Sequence, residues 1–258
     1  MAPGPQAGRV VDPRDACAEP QASSLQASFG QAIDKRGCKA VPYTVHNAFA
    51  SRAILICKSS VVSGGALALC CTTTLAAPLS VVNVSSPAIN CIFDTTCKVQ
   101  YTDTVGTIPI PGISGTARLQ TRTFPGAAGA RAAGTTGYEY RLDLTEAVGI
   151  VSTPCITALN VDFGPVTSLD YNKNGTPDQV FVVTSGSVGT VGLSGASEVG
   201  SVITFTLASP VCVGPSPGKG ESSYFFGLAS VNAPKAITAQ VQIAGGPLTS
   251  VAARAPIH

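Results

Sequence analysis

Tyr138-Glu139-Tyr140-Arg141-Leu142-Asp143-Leu144 alternates apolar and charged side chains without a break. Successive side chains of an extended chain point to opposite faces, so Tyr138, Tyr140, Leu142 and Leu144 share one face and Glu139, Arg141 and Asp143 the other. That pattern is expected of a half-buried antiparallel strand with one face on a core and the other in water. Residues 116–124 alternate in the same way, with Arg118, Gln120 and Arg122 together on one face, and a Gly/Ala-rich stretch, residues 125–137, separates the two. The pair predicts a hairpin with a mobile tip.

Further runs of strand character occupy residues 97–105, 155–163, 179–184, 201–207, 223–228 and 236–243, separated by Gly, Pro, Asn and Ser at hairpin-like spacings. Tyr224-Phe225-Phe226 has the composition of a core strand. About eight to ten strands without intervening helices predict an all-β fold, an antiparallel β-sandwich, with a jelly roll or β-barrel as the alternative. Only residues 144–148 suggest a turn of helix.

Composition agrees with short strands and turns. Hydrophobic residues make up 45% of the 258-residue chain, aromatic residues only 6% and charged residues 12%, with a net charge of +2. No basic field is present to attract nucleic acid.

Residues 52–76 read as an export signal. Arg52 and Lys58 are followed by the apolar run from Val61 to Cys71 and by Thr74-Leu75-Ala76-Ala77, which is a positive region, a short apolar region and a small-residue cleavage site. The apolar run is too short to span a bilayer. Cleavage is expected after Ala76 rather than Ala77, which would leave Pro78 as the first mature residue. Leu69 precedes Cys70 where lipid attachment needs a small residue, so no lipid anchor is expected. Residues 1–51 mix Pro, Gly, Gln, Ala and Arg without periodicity and read as a disordered or mis-assigned N-terminal extension, with a translation start near Leu55 giving a signal of ordinary length. The competing reading is a genuine disordered extension followed by a buried apolar hairpin or helix. Residues 77–258 then form a single β-sandwich domain without a transmembrane segment.

Nine cysteines are an awkward count for an exported chain, and the proposed cleavage resolves it. Cys91, Cys97, Cys155 and Cys212 remain, an even set suited to two disulfides. Of the three possible connectivities, Cys91–Cys97 with Cys155–Cys212 is favoured. A zinc site is the rival use, but residues 77–258 lack a CxxC pair and hold a single histidine, His258.

Asp170-Tyr171-Asn172-Lys173-Asn174-Gly175-Thr176-Pro177-Asp178 places oxygen-bearing side chains at alternate positions around a glycine. Calcium takes six to eight oxygens, and such a loop brings them to one point. Asp170, Asn172, Asn174 and Asp178 are the candidate side-chain ligands, with the carbonyl of Thr176. Phe181 stands where an EF-hand has its final Glu, and a strand rather than a helix follows. The competing reading is an Asx-rich β-turn. The loop resembles the short calcium loops of FG-GAP repeats and thrombospondin type 3 repeats over these nine residues alone. That resemblance implies structural Ca2+; without a second copy it implies neither a propeller nor a repeat array. The mature chain as a whole resembles secreted bacterial β-sandwich proteins, which implies an extracellular or cell-surface location and no mechanism.

Other chemistry is weaker. Gly214-Pro215-Ser216-Pro217-Gly218-Lys219-Gly220-Glu221 departs from a phosphate loop in glycine spacing and in Gly220, which replaces the metal-binding hydroxyl. A Ser or Cys nucleophile would need a base. Glu139, Asp143, Glu146, Asp162 and Glu221 could meet as a glycosidase-like pair, and the tyrosines could form a sugar platform, although the chain has no tryptophan. The expected function is a secreted or cell-surface, non-catalytic, calcium-stabilised module with a structural, matrix or adhesion role and an extracellular protein or polysaccharide partner. The alternatives are a polysaccharide-acting hydrolase using paired carboxylates, and an extracellular sugar- or protein-binding domain marked by an exposed tyrosine patch.

Overall fold

A computed structural model describes residues 75–258, all within one compact unit. The expected extension over residues 1–51 and all but the last two residues of the signal segment lie outside them. The described chain is a β-sandwich of two six-stranded sheets with a two-stranded ribbon at its side. The elements in order are β1 (Ala77–Leu79), β2 (Val81–Ser85), α1 (Ser86–Phe93), β3 (Thr102–Ile108), β4 (Ile113–Gly115), β5 (Ala117–Pro125), β6 (Thr136–Asp143) and β7 (Ala147–Gly149). They continue as β8 (Cys155–Asp162), β9 (Val180–Ser185), β10 (Leu193–Val199), β11 (Val202–Cys212), β12 (Phe225–Ser230), β13 (Pro234–Ile243) and β14 (Leu248–Pro256).

The first sheet runs β1-β10-β11-β8-β13-β14 and the second β2-β9-β12-β6-β5-β3, while β4 and β7 form the ribbon. Every pairing is antiparallel except β2 on β9. Inner faces of both sheets meet in one core built from alternate residues. Leu119, Tyr138, Tyr140, Leu142, Val182, Phe226 and Leu228 come from one sheet, and Leu159, Val161, Ile203, Phe205, Val241 and Ala253 from the other. The rings of Tyr140, Phe205 and Phe226 interlock across it at centroid distances of 5.0–6.3 Å. Two buried tyrosines satisfy their hydroxyls by donating to backbone carbonyls, Tyr138 to Asn232 and Tyr140 to Arg254, each at 2.8 Å. Strands β5, β8 and β9 fall within two residues of the sequence reading.

Three local expectations are corrected. Residues 144–148 form no helical turn: Ala147 N–H closes a tight turn on Leu144 C=O and the chain enters β7. The helix lies instead at Ser86–Phe93, started by Pro in its first turn and held by the buried Ile89, Ile92 and Phe93. Nor is the β5–β6 connection loose. Ala127 and Ala132 donate their N–H groups to Phe93 and Ile92 at the end of α1, and Ala132 is fully buried.

Both disulfides have the favoured pairing. Cys91–Cys97 ties the end of α1 to the chain that follows it. Cys155 and Cys212 face each other directly in the β8–β11 register. No helix among the described residues is long and apolar enough to cross a membrane.

Candidate metal loop and the charged face beside it

The loop that follows Leu169 is closed by a pair of backbone hydrogen bonds, in which Leu169 and Asp178 each donate N–H to the other's carbonyl at 2.9 Å. Lys173 and Gly175 take positive φ values of 62° and 89° to complete the reversal. Glycine adopts that conformation freely and Lys does not, so the turn is strained at position 173. Asp170 directs both oxygens inward: Oδ1 accepts N–H of Asn174 at 2.9 Å and Oδ2 accepts N–H of Gly175 at 3.1 Å. Asn172 Oδ1 accepts from Asn174 N–H at 3.0 Å, and Asn174 Oδ1 from Thr176 N–H at 2.8 Å. All five residues read from the sequence therefore lie in one closed loop.

Two further observations bear on a cation. Asp178 Oδ2 is buried and has no hydrogen-bond partner. A buried carboxylate oxygen without a donor is costly, and a bound ion or water is its usual explanation. Arg131, carried in by the β5–β6 connection, places Nη1 3.3 Å from Asp170 Oδ2. Nothing in the sequence pairs these two residues, which are brought together only because the connection is pinned on α1. No group of three or more His, Cys, Asp and Glu side chains is gathered among the described residues. The loop has two carboxylates, with amide and carbonyl oxygens as its other donors.

Tyr171 anchors the loop. Its fully buried ring sits 4.9 Å from Phe181 and 6.5 Å from Phe93, inside a second apolar cluster on the outer face of the β9-β12-β6-β5 sheet. Burial pushes the Tyr171 hydroxyl far above its ordinary range. Helix α1, Phe124, Ala132 and Phe225 complete this cluster.

The cluster changes the reading of β6. Glu139 does not face water; it is 2% exposed. Register sets Arg122 beside it on β5, and Asp103 beside Arg122 on β3. Arg122 donates Nε–H to Asp103 Oδ1 at 2.9 Å and lays its guanidinium over the rings of Phe225 and Tyr101 at 4.0 and 4.9 Å. Desolvation raises Glu139 to about 7, with Arg122 pulling the other way. Burial likewise pushes Tyr101 up to about 12.

The remaining acids are dispersed. Asp143 takes Arg141 at 3.2 Å and caps the turn by accepting from Thr145. Glu221 Oε2 accepts N–H of Cys212 at 2.8 Å. Asp162 stands on the other sheet, where hydrogen bonds from Ser201 and then from His258 hold its carboxyl below the usual range. The groove beside Asp162 has no second acid in its lining, so it is not a two-carboxylate glycosidase site. Tyr138, Tyr140 and Tyr171 are core residues and Tyr224 packs against the core, so these four make no exposed tyrosine patch. Residues 214–221 connect β11 to β12 with no helix after them, the setting of a connecting loop rather than of a phosphate site. No protein-family model matches the chain, and no curated protein or solved structure matches it.

Proposed function

We propose that the chain is an exported, non-catalytic β-sandwich module with a structural, matrix or adhesion role at the cell surface, and that its 170–178 loop holds a structural calcium ion. The observation that carries the calcium reading is the buried, unpartnered Asp178 Oδ2 in a loop where Asp170, Asn172 and Asn174 already turn their oxygens inward. Asp170, Asn172, Asn174, Asp178 and the carbonyl of Thr176 would hold the ion, which supplies charge and rigidity rather than chemistry. Arg131 is a tethered positive charge at the same carboxylate and competes with the ion for Asp170. Two carboxylates give a modest affinity suited to extracellular calcium. Export is supported by the start of β1 at Ala77, the residue after the expected cleavage, and by the pairing of all four cysteines that follow it.

Thermal unfolding in millimolar calcium against chelator tests the site. A site filled at tenfold its Kd adds about 1.4 kcal/mol, which raises Tm by about 3–6 °C for a domain of this size. Asp178→Ala is expected to abolish the rise and Arg131→Ala to bring it on at lower calcium. An unchanged Tm in wild type, with no heat of calcium binding by calorimetry, would leave the loop as an Asx-rich turn.

A further inference from the structure

The outer face of the first sheet carries a row of uncharged polar side chains in continuous register: Ser250 on β14 opposite Gln240 on β13, then Asn160 on β8, Thr204 on β11 and Ser197 on β10. All five are partly or fully exposed. The side-chain hydrogen bonds of this sheet are made around the row, by Thr157, Ser194, Gln242 and Arg254. The amides and hydroxyls of the row are therefore free to bind something else. A shallow groove of about 310 Å³ lies along it, lined by Asn160, Asp162, Ser201, Val202, Thr238 and Gln240.

We propose that this groove binds a neutral polysaccharide chain lying across the strands. Each amide of Asn160 and Gln240 both donates and accepts, as do the hydroxyls of Thr204, Thr238, Ser201 and Ser197, and that is the chemistry a sugar hydroxyl presents in return. Strands repeat about every 4.8 Å, so the row offers a polar group at intervals close to the length of one sugar ring over about 19 Å. Of the residues directed outward on β8, β11 and β13, only Asp162 is charged, and it disfavours anionic chains. A protein partner is disfavoured because these strands direct no Trp, Tyr or Arg outward here to serve as an anchor. The single carboxylate makes this a binding groove and not a cleavage site. The proposal names the partner of the surface module and rests on that reading for its setting. It is independent of the calcium loop, which belongs to the outer face of the other sheet.

Affinity electrophoresis of the wild-type protein through gels containing dextran, laminarin, hydroxyethyl cellulose, galactomannan or soluble starch tests it, with alginate as the anionic comparison. Runs with calcium and with chelator separate this site from the loop. The expected result is retardation in at least one neutral gel, with or without calcium, and none in alginate. Asn160→Ala with Gln240→Ala is expected to weaken that retardation about tenfold at unchanged Tm. Free migration of the wild type in every neutral gel overturns the proposal, as does retardation that the double variant leaves intact. A dimer in sedimentation that the double variant dissolves also overturns it, by making the row a contact between copies.

Discussion

Glu139 shows how one side chain can read correctly in period and wrongly in surroundings. Its alternation with Tyr138 and Tyr140 placed it on the outer face of β6, and it is there. What covers that face is supplied from elsewhere in the chain, by Tyr101, Arg122 and Phe225, so no local pattern could announce it. The consequence is a specific dependence of stability on pH. A carboxyl raised from 4.5 to about 7 keeps its proton in the native state while the unfolded chain has released it. Stability is therefore lost as pH rises from about 4.5 to about 7, by about 3 kcal/mol over the window. Glu139→Gln is expected to remove that loss and to melt several degrees above wild type at pH 8, with little difference at pH 4. Equal melting temperatures at both values would show that Arg122 already keeps the carboxylate charged in the native state.

Among the elements, those with long alternating runs were legible and those defined by contact were not. β5, β6, β8 and β13 carry their own period. β1, β4 and β7 are three residues each and become strands only through their partners. Helix α1 did leave a signal, in Ser86-Pro87 followed by Ile89, Ile92 and Phe93 at helical spacing, but eight residues are too few for periodicity to stand out. The calcium-type loop was legible because its donors are consecutive in sequence, whereas its neighbour Arg131 and the groove on the opposite sheet depend on which strands lie side by side. One position in β3 records such a juxtaposition. A Cβ on Gly106 would stand 2.3 Å from the carbonyl oxygen of Ala252, because β3 and β14 approach each other where the two sheets meet. Backbone atoms cannot swing aside, so Gly106→Ala is expected to cost about 1–3 kcal/mol in a denaturant titration. An unchanged midpoint would mean that the two strands lie further apart in solution.

For the whole molecule, the sandwich is closed along both sides. β3 lies against β14 at one, and at the other the chain runs from β1 in the first sheet straight into β2 in the second, with Ser80 N–H donating to Gln179 Oε1 at the crossing. The first nine residues after the expected cleavage thus belong to both sheets. Protein recovered from outside its native host is expected to begin at Ala77 and to weigh four hydrogens less than the same protein after reduction, one pair for each disulfide. A full-length mass with free thiols would place the chain in a reducing compartment. The N-terminal strands have one more effect, on the order of events during synthesis and export. Ala77 pairs with Glu198 and Val81 with Val180, so the segment that emerges first has no partner until more than a hundred later residues have followed it. The chain cannot close its sheets while it is being threaded, and a translocation channel receives it unfolded without a separate factor to hold it open. Once released, such long-range pairing makes it a slow folder, taking milliseconds to seconds rather than microseconds.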